Sequence, residues 1–84
     1  MKMRLLDVGF GYSTFINADK VTAIAAPESA PIKRLVSEAK DKGLAVDATY
    51  GRKTRSVIIM DSDQIILSPL KPETVVSRAS GENT

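Results

Sequence analysis

The residues with the most chemical potential in this chain are Arg52, Lys53 and Arg55. They fall close together beside Gly51, in a stretch from Ala48 through Met60 that contains no Asp or Glu. Two guanidiniums on one turn suit phosphate contact, because the planar fork can bond phosphate oxygens in pairs. The Thr54 and Ser56 hydroxyls could add positioning contacts, and Tyr50 could stack on a base or sugar or else pack on a sheet. Basic clusters on turns are also common simply because turns are solvated. The residue types therefore leave two readings open here, a nucleic-acid contact and a charged hairpin tip. Lys20 is a further candidate cation, whereas Lys33 and Arg34 fit the wet face of an amphipathic helix.

Other chemistries are thinly supported. The chain has no His, Cys or Trp, which removes disulfides, thiolate nucleophiles, Cys/His zinc sites and histidine acid–base catalysis. No enzyme activity and no cofactor or metal is expected. Asp61-Ser62-Asp63 places two carboxylates together, but Ile59, Met60, Gln64 and Ile65 supply few of the ~6–8 oxygens calcium takes, so a turn is the better reading. Gly9-Phe10-Gly11 lacks the third glycine of a dinucleotide fingerprint, since position 14 is Thr, and a strand rather than a helix follows. A tight turn where backbone approaches backbone fits it better.

The elements that must position these residues read as follows. Lys2 to Val8, Tyr12 to Ile16 and Val21 to Ala25 have the composition of short strands, with Asn17-Ala18-Asp19 as turn chemistry. Ile32, Leu35, Val36 and Ala39 form an apolar stripe at helical spacing, with Ser29 as cap, Pro31 in the first turn and Gly43 at the end. Leu44 to Thr49 and Ser56 to Met60 read as two strands joined through the basic turn. The unbroken apolar run Ser56-Val57-Ile58-Ile59-Met60 suits a central strand covered on both faces. Gln64 to Leu67 gives one more strand, and Pro72 opens a short C-terminal helix. The expected fold class is α+β: a small, mainly antiparallel sheet of five or six strands, one good helix and one short one.

At 84 residues, with 43% hydrophobic and 26% charged, the chain makes one small domain, expected over 1–79, with a fraying tail over 80–84. A chain this size should have a radius of gyration of roughly 12 Å and little room for a deep cleft. No stretch approaches the ~18 apolar residues of a membrane span, and Asp7 and Gly9 interrupt any signal-like apolar run, so a cytoplasmic home is expected. The net charge of +2 does not announce a polyanion binder. A few phosphate contacts per chain would bind weakly, so DNA binding by this sequence would call for several copies on one nucleic acid.

Three runs together resemble the RemA family of bacterial extracellular-matrix regulators: Pro27-Glu28-Ser29-Ala30-Pro31-Ile32-Lys33-Arg34, Asp47-Ala48-Thr49-Tyr50-Gly51-Arg52-Lys53-Thr54-Arg55 and Met60-Asp61-Ser62-Asp63. Gly9-Phe10-Gly11 and Pro72-Glu73-Thr74-Val75 fit in the same order, so the resemblance covers about residues 3–78. It implies a DNA-binding transcriptional regulator of LytTR-like fold that controls matrix and biofilm genes in its family. It also implies assembly into a homo-oligomeric ring of about seven or eight subunits, or a stacked double ring, with double-stranded DNA around the outside. By the resemblance, Arg52, Lys53 and Arg55 lie on the DNA-contacting loop. Lys20 stands where an arginine contacts DNA, and Pro31 at a position needed for the helix start and subunit packing. Lys20 and Lys53 replace typical arginines and so lose the bidentate fork. Two rival readings are a structural or protein-interaction module, and an RNA-binding module that stacks bases on Tyr50, Tyr12 and Phe10.

Overall fold

The computed structural model describes residues 4–81. Lys2 and Met3, at the start of the expected first strand, and 82–84 of the expected tail lie outside the described residues. In chain order the elements are β1 (Leu5–Asp7), β2 (Phe15–Asn17), a 3-10 turn (Ala18–Lys20), β3 (Val21–Ala25), α1 (Ala30–Asp41), β4 (Ala45–Asp47), β5 (Ser56–Met60), β6 (Ile65–Ser68) and α2 (Pro72–Ala79). The radius of gyration is 12.1 Å.

The centre of the molecule is a four-stranded sheet in the order β3-β5-β6-β4. Successive side chains of a strand point to opposite faces, and here both faces are covered. Val57, Ile65 and Leu67 face one cluster, where Ile32, Leu35, Val36 and Ala39 of α1 meet them. Ile58, Met60 and Ile66 face the other, closed by Leu6 and Val8 from the β1 arm and by Leu70 and Val75 around α2. Double coverage explains why β5 and β6 read as unbroken apolar runs instead of alternating ones. α1 begins where Ser29 accepts the Ile32 N–H at 3.3 Å, with Pro31 in the first turn. α2 likewise begins at Pro72.

Two details differ from the sequence expectation. The strands do not form one sheet: β1 and β2 make a separate two-stranded antiparallel ribbon. Nor do β4 and β5 form a hairpin. β4 pairs with β6, in parallel, through Ala45–Ile65, Val46–Ile66 and Asp47–Leu67, while β5 pairs with β6 on its other side. The physical reason lies in burial. All of Ile65–Ser68 is buried and needs neighbours on both sides, whereas Ala45-Val46-Asp47 carries an exposed Val46 and Asp47 and so suits an edge. The connection over 48–55 therefore straddles the end of β6, about 10 Å at ~4.8 Å per strand, instead of turning back on itself. The Asp61–Asp63 turn does close a hairpin, between β5 and β6, with Asp63 N–H donating to Met60 O at 3.1 Å and Met60 N–H to Gln64 O at 2.9 Å.

Candidate nucleic-acid interface

The basic loop is held at both ends by β6. Ala48 N–H donates to Leu67 O at 2.9 Å, and Arg55 N–H donates to Ser68 O at 2.8 Å. At its entry, the Asp47 carboxylate accepts both the hydroxyl and the backbone N–H of Thr49. Those two Thr49 bonds, hydroxyl first, hold the Asp47 carboxyl below its ordinary value of 3.8 against the opposing effect of burial, with help from the Lys40 charge. Next comes a tight turn in which Arg52 N–H donates to Thr49 O at 3.0 Å. Its two central residues, Tyr50 and Gly51, have φ of 51° and 86°, the signature of a type I′ turn. Gly51 adopts such a φ freely; Tyr50 does so against its steric preference.

This anchoring projects Arg52, Lys53 and Arg55 into solvent, all three exposed. With Phe10 and Pro69 they line one surface depression. No carboxylate among the described residues forms an ion pair with any of the three. Arg52 is nevertheless not loose, because its guanidinium carbon lies 4.3 Å from the centre of the Phe10 ring.

Beneath the loop, buried serines tie the backbone together. Ser68 donates its hydroxyl to Val8 O at 2.6 Å and accepts the Leu70 N–H at 3.1 Å, while Ser56 donates to Leu70 O. Ser56 is thus committed to the interior, which corrects the expectation that its hydroxyl could reach a phosphate. Thr54 is half-buried beside Val57 and Leu67.

The loop that carries Phe10 is equally well held. Asp7 Oδ1 accepts the N–H groups of Gly9 at 3.0 Å and Thr14 at 3.1 Å, and Val8 N–H donates to Thr14 O at 2.9 Å. Burial pushes the Asp7 carboxyl up, but these backbone bonds, the Ser13 hydroxyl and the Arg78 charge outweigh it and leave the group below 3.8. Gly9-Phe10-Gly11 is the tight turn its composition suggests: a Cβ on Gly9 would sit 2.0 Å from Tyr12 O.

The other predicted site residues lie elsewhere. Lys20 is at the opposite end of β5, beside the Asp61 turn, with its ammonium 3.9 Å from Asp61. The length of Ser56–Met60, roughly 16 Å at ~3.3 Å per residue, separates it from the basic loop within one chain. Pro31 is exposed in the first turn of α1, and Lys33 and Arg34 are on that helix's wet face. Sequence reasoning names Tyr50 as able to stack on a base or sugar beside the basic loop, and Phe10 and Tyr12 only as stacking candidates for RNA. Tyr50 is two residues from Arg52, but the grouping of Phe10 and Tyr12 with them depends on a loop far away in the chain, and the available hint was an aromatic residue set between two glycines, a poor context for a core side chain.

Among the described residues no helix is long and apolar enough to cross a membrane. What the fold and this surface define is a small α+β domain that presents an anchored, unpaired cationic loop. The chain belongs to the RemA-like family: the family model described as extracellular matrix regulatory protein A-like matches residues 5–79. A protein of Carboxydothermus hydrogenoformans named "Putative regulatory protein" is 55% identical over 78 residues, covering 93% of this chain and 87% of the relative. One of the same name in Heliobacterium modesticaldum is 51% identical over 84 residues, covering 100% of this chain and 90% of its own length. A third, from Clostridium perfringens strain SM101, is 54% identical over 80 residues, at 95% and 88% coverage.

Proposed function

We propose that this chain is a cytoplasmic, DNA-binding transcriptional regulator, LytTR-like in fold, that grips double-stranded DNA as a ring-shaped homo-oligomer. The observation that carries the reading is the basic loop, with three exposed cations free of ion pairs on a backbone fixed at both ends to β6. A fixed backbone has little freedom to lose when the cations meet a phosphate, and the guanidinium forks of Arg52 and Arg55 can each bond two oxygens. Three phosphates per engaged subunit give a slope of about −3 in log affinity against log salt, and a ring repeats that loop around one duplex. The contact is made by a loop and not by an inserted recognition helix, so discrimination rests on DNA shape and bendability. Lys20 is a second contact supplied from the other end of the subunit, and Pro31 supports subunit packing through the start of α1. Family membership favours regulation as the role, and matrix or biofilm operons as its targets.

The test is titration of an AT-rich duplex by fluorescence anisotropy, with light scattering on the same samples. Arg52→Ala combined with Arg55→Ala should abolish binding at physiological salt and leave the oligomer unchanged. Duplex binding undiminished in this double variant overturns the site, and a 9.1 kDa monomer at working concentration overturns the ring.

A further inference from the structure

Every aromatic side chain of this protein is on its surface. Phe10, Tyr12, Phe15 and Tyr50 are 54%, 66%, 58% and 60% exposed, and they are all the aromatics the chain has. The core is built from aliphatic side chains and Met60. Aromatic rings carry the largest apolar areas and ordinarily dominate a core, so leaving all of them outside assigns them another task.

Three of the four gather around the basic loop. Phe10 lies under the Arg52 guanidinium at 4.3 Å, and the Tyr12 and Tyr50 rings pair at 4.8 Å between centroids, tilted by 34°. The grouping is built, not incidental. The loop carrying Phe10 and Tyr12 is stapled at both ends to Asp7 Oδ1. Tyr50 sits at φ 51°, a position of the I′ turn where Asn or Gly is the usual occupant, and its ring adds nothing to the core. The two contributing stretches are also electrically one-sided: residues 8–18 carry no charge before Asp19 closes the turn, and 48–60 carry three cations and no acid.

We propose that the Gly9–Tyr12 loop is the second half of the DNA-contacting surface. Phe10 is a positioning residue that holds the Arg52 guanidinium by its face and leaves its N–H edge outward for phosphate, while the Tyr12–Tyr50 pair rests against the adjoining sugar edge. The inference rests on the basic loop being the DNA contact. A guanidinium stacked on a ring keeps its edge donors available, and a side chain already held in place has less freedom to lose on binding. Three exposed cations without ion-pair partners, beside Asp7 and Asp47 carboxylates already engaged by Gly9, Thr14 and Thr49, favour a polyanion as the occupant of this aromatic surface. A ring pair beside a phosphate contact fits the sugar, which offers an apolar face at that distance from the backbone charge.

The experiment is a double-mutant cycle on duplex affinity with Phe10→Leu and Arg52→Ala, alongside Phe10→Tyr and a salt series. Phe10→Leu keeps the apolar bulk and removes the ring. It should weaken binding about two- to five-fold for one contact, and more where several subunits engage one duplex. The salt slope should stay unchanged, because Arg52 is still charged. Phe10→Tyr should restore affinity, and in the Arg52→Ala background Phe10→Leu should have no further effect. Tyr12→Ser should also weaken binding with an unchanged slope. The proposal is overturned if Phe10→Leu binds as tightly as the parent, if its loss is the same with and without Arg52, or if Phe10→Tyr fails to restore. If Arg52→Ala itself leaves duplex affinity intact, the DNA reading of the loop has failed. If Arg52→Ala weakens binding and Phe10→Leu does not, only the role of Phe10 has failed. Tighter binding of a single strand than of the duplex by the parent protein overturns the sugar-edge assignment.

Discussion

Ser68 is the buried residue on which both candidate loops depend, and Ser68→Ala is the most informative perturbation of the fold. Its side chain is 0% exposed. The hydroxyl donates to Val8 O at 2.6 Å and accepts the Leu70 N–H at 3.1 Å, so one oxygen serves two backbone groups from segments far apart in sequence. Ser68→Ala removes both bonds, and water cannot replace them: Val8 is 0% and Leu70 6% exposed. A buried backbone group left without a partner costs about 1–3 kcal/mol, so the expected loss for the two groups is about 2–6 kcal/mol. Total stability for a chain of this length is on the order of 4–13 kcal/mol, which makes the change a large fraction of the whole. Urea unfolding followed by far-UV circular dichroism measures it, at one fixed protein concentration because self-association shifts the midpoint. With a slope of about 1 kcal/mol per molar urea, the midpoint should fall by about 2 M or more while the slope stays constant. Ser62→Ala is the matched control: its hydroxyl is exposed and donates to Gln64 Oε1 at 3.3 Å, so its loss should be within about 0.5 kcal/mol. Equal midpoints for the two variants would refute the reasoning that Ser68 satisfies groups with no alternative.

Two further outcomes follow from the same geometry. Gly9→Ala places a methyl group 2.0 Å from Tyr12 O, a clash with backbone that no rotamer relieves, and should cost about 1–3 kcal/mol in thermal or urea unfolding; a melting temperature unchanged within a degree would refute it. Asp7 and Asp47 both have folded-state pKa values below 3.8, so the stability they add is fully present above about pH 4 and is lost as pH falls through those values. Asp47→Asn keeps an acceptor for Thr49 and removes the titration, so melting temperature should fall less steeply than in the parent between about pH 4 and pH 2.5; parallel pH profiles would show that Asp47 is not held as described.

Local features of this fold are legible because local physics sets them. Val21–Ala25 and Ser56–Met60 have the bounds that β-branched and apolar composition gives, and α1 starts where Ser29 and Pro31 say it should. The pairing of β4 is not legible in this way. Periodicity reports how buried a strand is, not which strand lies beside it, and an edge strand such as Ala45–Asp47 satisfies its pattern in parallel with β6 as well as antiparallel to β5. The clue lay in β6, whose buried run Ile65–Leu67 demanded two neighbours when sequence order offered only the β5 hairpin. The same non-locality hides part of the candidate site. Arg52, Lys53 and Arg55 lie within four residues and could be nominated from sequence, but the Phe10–Arg52 stack follows from how the β1–β2 ribbon lies on the sheet, and the distance of Lys20 from both from the antiparallel pairing of β3 with β5.

Placing the basic loop on a crossover instead of a hairpin tip changes how the near-neutral total of +2 should be weighed. This loop is bonded to β6 at Ala48 and again at Arg55, so the backbone that carries its cations is held against the sheet, and Arg52 is held further by the Phe10 ring. Charge is also sorted along β5. At the Met60 end Lys20 meets Asp61, and Arg4 meets Asp19 at 3.0 Å, so cations there are largely spent on acids of the same chain. At the Ser56 end three cations face solvent with no acid partner among the described residues. Exposed pairs contribute little to stability, about 0–1 kcal/mol each, so the sorting is better understood through its field than through its strength. A potential of this kind fades within about 8–10 Å at physiological salt, so a phosphate touching the loop feels three cations and almost nothing of Asp19 and Asp61 at the far end, against the nearer carboxylate of Asp47, which Thr49 engages. The net charge of the chain is therefore the wrong quantity for judging this surface. The local charge, held by a doubly anchored backbone and repeated once per subunit, is what a polyanion would meet.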